Sequence, residues 1–211
     1  MTQLPARWRV HDLLRVTSAA ALRFELPAPD WVADALRGAP WVVVRRAAAR
    51  DGLIAVGVRG ASRAQRCAAW LDPRAVQLRR TPAQLRLAAA SLPAPRAALP
   101  ALRTLGGVGR VLRGLPRSSW GPGGSVGFEL ASGVATVGAD SDLDLVVRCA
   151  LLPPRARAAA LWRALQGVSG SRIDVLLETA RGAVALADYA QGGPCLLRTA
   201  EGPRLLGTPK P

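Results

Sequence analysis

Apolar and polar positions change their period several times along this chain of 211 residues, and each change marks an element. The segment WRVHDLLRV at 8–16 predicts a turn leading into a strand, with His11, the chain's one histidine, as a turn residue. PDWVADALR at 29–37 predicts a short helix, with Asp30 after Pro29 as its N-cap and Arg37-Gly38 closing it. WVVVRR at 41–46 is β-branched and predicts a buried strand. Asp51-Gly52 signals a hairpin turn, and Leu53–Val58 the returning strand. If Ser62 caps a helix, Arg59 lies at its entrance and Arg63 and Arg66 lie on one exposed side. Residues 82–92 predict an Ala/Leu helix, and the Pro-rich SLPAPRAALP that follows reads as a linker. Two domains are expected, over residues 1–92 and 93–211.

The second part opens with an apolar helix, Leu99–Leu115, loosened by Gly106, Gly107 and Gly109. Ser118–Gly124 predicts a turn, Ser125–Leu130 a strand and Leu143–Cys149 a second strand. Pro153-Pro154 opens a helix over Arg155–Gln166, ended by Gly167. Arg172–Glu178 predicts a third strand, 182–190 a short helix, and 195–206 a closing hairpin around Glu201-Gly202-Pro203. Strands and helices mix without an internal repeat, which gives an α+β chain with a small α/β domain first.

Half of the residues are apolar, so a packed globule is expected rather than disorder. The net charge of +15 favours polyanionic partners. Yet Lys210 is the one lysine among 29 bases and alanine is abundant, the pattern that a GC-rich coding sequence also produces. The nine aromatic residues are scattered, with no stacking residues interleaved among bases, which argues against nucleic acid. Cys67, Cys149 and Cys195 are widely spaced, so thiols in a reducing cytosol fit better than disulfides or zinc. No apolar run reaches the roughly 18 residues of a membrane span, and the start lacks a signal-peptide pattern; a soluble cytoplasmic protein is expected.

Against this basic background, the acids at 140–144 stand out. Residues 101–211 hold eight acids, and three of them are Asp140, Asp142 and Asp144. Strand periodicity puts Asp142 and Asp144 on one face and Leu143 and Leu145 on the other. A calcium loop is excluded, because its sixth and twelfth positions would be Leu145 and Leu151 instead of Gly and Glu. Charges guarding an edge strand would be mixed in sign and typically include Lys. Paired carboxylates instead suit divalent metal beside a phosphate chain, and Asp174 on the third strand can supply a third. Gly124-Ser125 can offer a backbone N–H and a hydroxyl to phosphate. Arg59, Arg63 and Arg66 form either a phosphate cradle or a solvated arginine face.

Gly-Ser, a spacer, Asp-x-Asp and a later strand Asp resemble the nucleotidyltransferase superfamily that includes DNA polymerase β. The strings WGPGGSVGFELASG, SDLDL, IDVLLET, LLRT and GPRL are more similar to one branch. So are HDLL, PDWV, PWVVVRR and VGVRGASRAQR in the first part. That branch is the malonate decarboxylase holo-acyl-carrier-protein synthases, or phosphoribosyl-dephospho-CoA transferases. The first part is basic, with 16 Arg against 6 acids over residues 1–100, and is expected to bind donor or partner. The resemblance implies a polymerase-β-like second domain with a mixed sheet and flanking helices. It implies transfer of the prosthetic group from 2′-(5″-triphosphoribosyl)-3′-dephospho-CoA to a serine of the malonate decarboxylase acyl-carrier subunit, with release of diphosphate. Asp142 and Asp144 match its paired aspartates, Asp174 the superfamily's third carboxylate, and Gly124 and Ser125 its phosphate-binding step; two Mg²⁺ ions are the implied cofactor. Arg59, Arg63 and Arg66 are candidates for the donor's other phosphates. Another metal-dependent nucleotidyltransferase, acting on a small molecule or a different protein, is the competing expectation.

Overall fold

The computed structural model describes residues 8–50, 52–62, 64–113 and 119–207. These residues contain two six-stranded sheets and seven α-helices, an α+β chain. The chain divides into two compact units: residues up to Thr81 with Ala131–Val134, and residues from Pro82 onward with that short segment left out.

In the first unit the strands are β1 (Leu13–Val16), β2 (Leu22–Arg23), β3 (Trp41–Val44), β4 (Ile54–Arg59), β5 (Arg66–Leu71) and β6 (Val76–Arg80). They lie in the order β2-β5-β4-β3-β1-β6 with every neighbour antiparallel. One α-helix, α1 (Trp31–Gly38), turns Val32 and Leu36 into the core formed by Leu14, Val42, Val56 and Leu71. Where an α/β domain is expected, the described residues of this unit thus form an antiparallel sheet with one α-helix. The buried carboxylate of Asp12 accepts from Arg9 N at 2.9 Å and Arg79 Nε at 2.7 Å, which satisfies a charge that would be costly alone. His11 sits in the turn before β1 with φ of 71°, and its N–H donates to Val44 O at 2.9 Å.

The helix expected after Ser62 is absent among the described residues; the stretch instead turns a hairpin from β4 into β5, with Arg59 opposite Arg66. Gly60 makes this hairpin tight. Its N–H donates to Gln65 O at 2.9 Å, and a Cβ there would stand 2.5 Å from Gln65 Cβ and 2.9 Å from the Trp31 ring. Gln65 Oε1 accepts from Ser62 N at 3.0 Å, so Ser62 closes a turn rather than capping a helix.

In the second unit, α2 (Pro82–Ala88), α3 (Ala94–Ala97) and α4 (Pro100–Leu112) precede β7 (Ser119–Pro122). The Pro-rich stretch therefore carries helices within this unit. Next come α5 (Gly124–Ser132), β8 (Leu143–Arg148), α6 (Arg155–Gln166) and β9 (Ile173–Thr179). The chain closes with β10 (Gly182–Ala185), α7 (Leu186–Ala190), β11 (Cys195–Thr199) and β12 (Gly202–Leu206). The sheet order is β12-β11-β10-β9-β8-β7. β8 and β9 are parallel, because α6 carries the chain back across between them, and the other neighbours are antiparallel. Leu102, Leu105 and Val108 of α4 and Leu161 and Leu165 of α6 pack in one core with Leu143, Leu145, Val147 and Val175.

Three expectations fail here. Within the turn expected over 118–124, Ser119–Pro122 form strand β7, whose Pro122 is tolerated because the strand is the edge of the sheet. Ser125–Leu130 is helical. Residues 182–185 pair with β9 as a strand, so the expected helix shrinks to α7. Gly182 (φ 146°) and the Thr179 Oγ1 bond to Gly182 O at 2.9 Å close the β9–β10 turn and override the helix propensity of the alanines. No helix among the described residues is long and apolar enough to cross a membrane.

Candidate active site

The site grows from the pairing of β8 with β9. Their register sets Leu143 beside Ile173 and Asp144 beside Asp174. Leu143 N donates to Arg172 O at 2.8 Å, which carries the ladder one residue further and brings Asp142 beside Arg172. Since strand side chains alternate, Asp142, Asp144, Arg172 and Asp174 share one sheet face, while Leu143, Leu145, Ile173 and Val175 enter the core. Arg172 Nη2 donates to Asp142 Oδ2 at 2.9 Å and to Asp174 Oδ2 at 2.8 Å. The structure thus brings together the three predicted aspartates and adds a base between two of them.

β7 supplies the next wall. Gly123 N donates to Asp144 O at 2.9 Å, so the β7–β8 ladder runs up to the start of α5. There Gly124 has φ of 52°, and a Cβ on it would overlap Asp144 Oδ2. Gly127 N donating to Gly123 O at 2.6 Å closes the first turn of α5. The expected strand Ser125–Leu130 is therefore a helix that begins at the aspartates. Alternating Val126, Phe128 and Leu130 mimic a strand, yet the buried run Val126–Glu129 is helical, and so short an apolar run cannot decide by period alone. Ser125 lies in this first turn, at the end where backbone N–H groups and the helix dipole favour anions.

Glu129, which pattern alone did not single out, fixes this helix. Its carboxylate accepts Arg96 Nε at 2.8 Å and Arg96 Nη2 at 2.7 Å, and also the N–H groups of Thr136 and Val137, each at 2.8 Å. Burial pushes its carboxyl up, but the Arg96 fork and the two N–H groups outweigh that and hold it below the usual carboxylate range. One buried acid thereby ties α3, α5 and the segment that leads to the aspartates. Beyond that segment, Ser141 Oγ accepts from Gly138 N at 2.9 Å in a turn that leaves Asp140 exposed.

In the first unit, Arg66 Nη1 donates to Ser62 O at 3.0 Å and Gln65 O at 2.9 Å, so it braces the hairpin whose other strand ends at Arg59. Arg63 lies outside the described residues.

Among the described residues, no three His, Cys, Asp or Glu side chains stand close enough to hold a metal ion by themselves. The donor set nevertheless suits Mg²⁺, a hard ion that binds through one or two carboxylates and completes its shell with water and substrate phosphates. Two carboxylate oxygens already converge on the cationic Arg172 Nη2.

Comparisons with known proteins agree from residue 9 to residue 209. Residues 9–82 match the family described as the phosphoribosyl-dephospho-CoA transferase MdcG N-terminal domain, and residues 84–209 the MdcG C-terminal domain. A phosphoribosyl-dephospho-CoA transferase of Azotobacter vinelandii is 43% identical over 202 residues, covering 94% of this chain and 92% of its own. The namesake from Pseudomonas syringae pv. tomato is 44% identical over 200 residues, with 94% and 92% covered. That of Klebsiella pneumoniae is 37% identical over 202 residues, with 95% of both covered. No solved structure matches. Both domain matches and these full-length likenesses show that the chain belongs to the MdcG family of phosphoribosyl-dephospho-CoA transferases.

Proposed function

We propose that this protein transfers phosphoribosyl-dephospho-CoA from 2′-(5″-triphosphoribosyl)-3′-dephospho-CoA to a serine hydroxyl of the acyl-carrier subunit of malonate decarboxylase. The serine oxygen attacks the phosphorus attached to the ribose, the bond to the bridging oxygen breaks, diphosphate leaves and the hydroxyl proton is lost. The observation that carries this reading is Asp142, Asp144 and Asp174 on one sheet face beside the first turn of α5. This arrangement is what a polymerase-β-like nucleotidyltransferase site needs.

Asp142 and Asp144, with Asp174 alongside, would hold Mg²⁺. When bound, Mg²⁺ supplies charge neutralisation on the triphosphate and acidifies the attacking hydroxyl. The first turn of α5, with Ser125, receives the terminal phosphates. Gly124 lets that turn approach Asp144 without a side chain between them. Arg59, Arg63 and Arg66 are proposed as phosphate-binding bases of the first unit, and the net charge of +15 favours encounter with an acidic carrier subunit. The test supplies the carrier subunit with the dephospho-CoA donor in one arm and ATP in another. Modification that requires the dephospho-CoA donor supports the reading, whereas nucleotidylation from ATP alone refutes it.

A further inference from the structure

Arg172 stands just before β9, and its side chain is 66% exposed, so it adds nothing to the core. Yet the β8–β9 register sets it at the fourth corner of an array whose other corners are Asp142, Asp144 and Asp174. One nitrogen, Nη2, makes both of its carboxylate bonds, so Asp142 Oδ2 and Asp174 Oδ2 point to a single cationic centre. Arg96 and Glu129 are built differently. There, separate nitrogens meet separate oxygens and the carboxylate is buried, as in a pair made to stay closed.

We infer that Arg172 is a built-in counter-cation which competes with the divalent ion for Asp142 and Asp174, and so sets how much metal the site requires. The inference rests on the metal-bearing reading proposed above. Without a divalent ion, Arg172 offsets the repulsion among three carboxylates. With one, the ion and the guanidinium repel each other across the same two oxygens, so metal binding works against both bonds of Arg172. Its exposure makes leaving cheap, since ion pairs in contact with water are weak. Once released, the guanidinium is an anion-binding fork at the edge of the site, suited to a phosphate of the donor.

The test titrates Mn²⁺ into the full chain, followed by electron paramagnetic resonance, for the wild type, Arg172→Gln and Arg172→Lys, with Asp142→Asn to locate the ion. Arg172→Gln should bind Mn²⁺ about tenfold more tightly than the wild type, the worth of two exposed ion pairs. Arg172→Lys should fall between them. The metal concentration for half-maximal transfer should drop in the same order. Equal or weaker binding by a folded Arg172→Gln would show that Arg172 holds the aspartates in place, overturning this inference alone. Absence of Mn²⁺ binding in every protein would overturn it together with the metal-bearing reading.

Discussion

The carboxylate of Asp144 occupies the space that a side chain at Gly124 would need. With φ of 52°, Gly124 also takes a backbone conformation that L residues adopt at a cost. Gly124→Ala should therefore lose about 1–3 kcal/mol of stability, the range for local backbone strain. It should also shift Asp144 enough to lower transfer by about 100-fold, as displacements of about 1 Å can. Urea denaturation and a transfer assay on the same preparation check both effects. A variant that keeps the full rate would show that the close approach is dispensable.

Glu129 should make the protein acid-sensitive. Its carboxyl is held below its unfolded value, so it contributes stability that is present above about pH 4.3 and lost as pH falls through the folded pKa. Glu129→Gln should cost about 3 kcal/mol near neutral pH, because it leaves Arg96 facing a neutral amide. In strong acid, where the wild-type carboxyl is also neutral, the difference should shrink. Urea midpoints for both proteins at about pH 7 and about pH 3 decide the sign. A gap that widens in acid would contradict the assigned cause.

Gly106 and Gly107, adjacent on α4, should respond differently. A Cβ on Gly106 meets nothing within 4 Å, whereas one on Gly107 would stand 2.9 Å from Val168 Cγ1. Gly106→Ala should stabilise the protein by about 0.5–1 kcal/mol, the usual cost of glycine inside a helix. Gly107→Ala should gain less or lose stability. Thermal midpoints of the two variants separate helix propensity from packing.

What sequence patterns revealed follows the strength of the local signal. β8 and β9 were legible because aspartates alternate with Leu and Ile, and α6 because Pro153-Pro154 and Gly167 bracket its apolar period. The first turn of α5 was not, since three alternating apolar residues fit a strand and the deciding contact, Gly124 against Asp144, is not local. The Arg59–Arg66 hairpin was hidden for a similar reason, since Ser62 and Gln65 suit a helix start as well as a turn. Arg172 could have been found. Ser141-Asp142-Leu143-Asp144 and Ser171-Arg172-Ile173-Asp174 share one pattern, and aligning them yields the observed register. Glu129 carried no comparable signal, because its partners at 96, 136 and 137 come together only in the fold.

We propose that the aspartate face transfers phosphoribosyl-dephospho-CoA to a carrier serine. The most direct measurement is the intact mass of the malonate decarboxylase carrier subunit after incubation with this protein, the triphosphoribosyl donor and Mg²⁺. Wild-type protein should add one phosphoribosyl-dephospho-CoA to the carrier, and folded Asp142→Asn and Asp144→Asn variants should add none in the same time. An unmodified carrier with the wild type, or full modification by either variant, would contradict it.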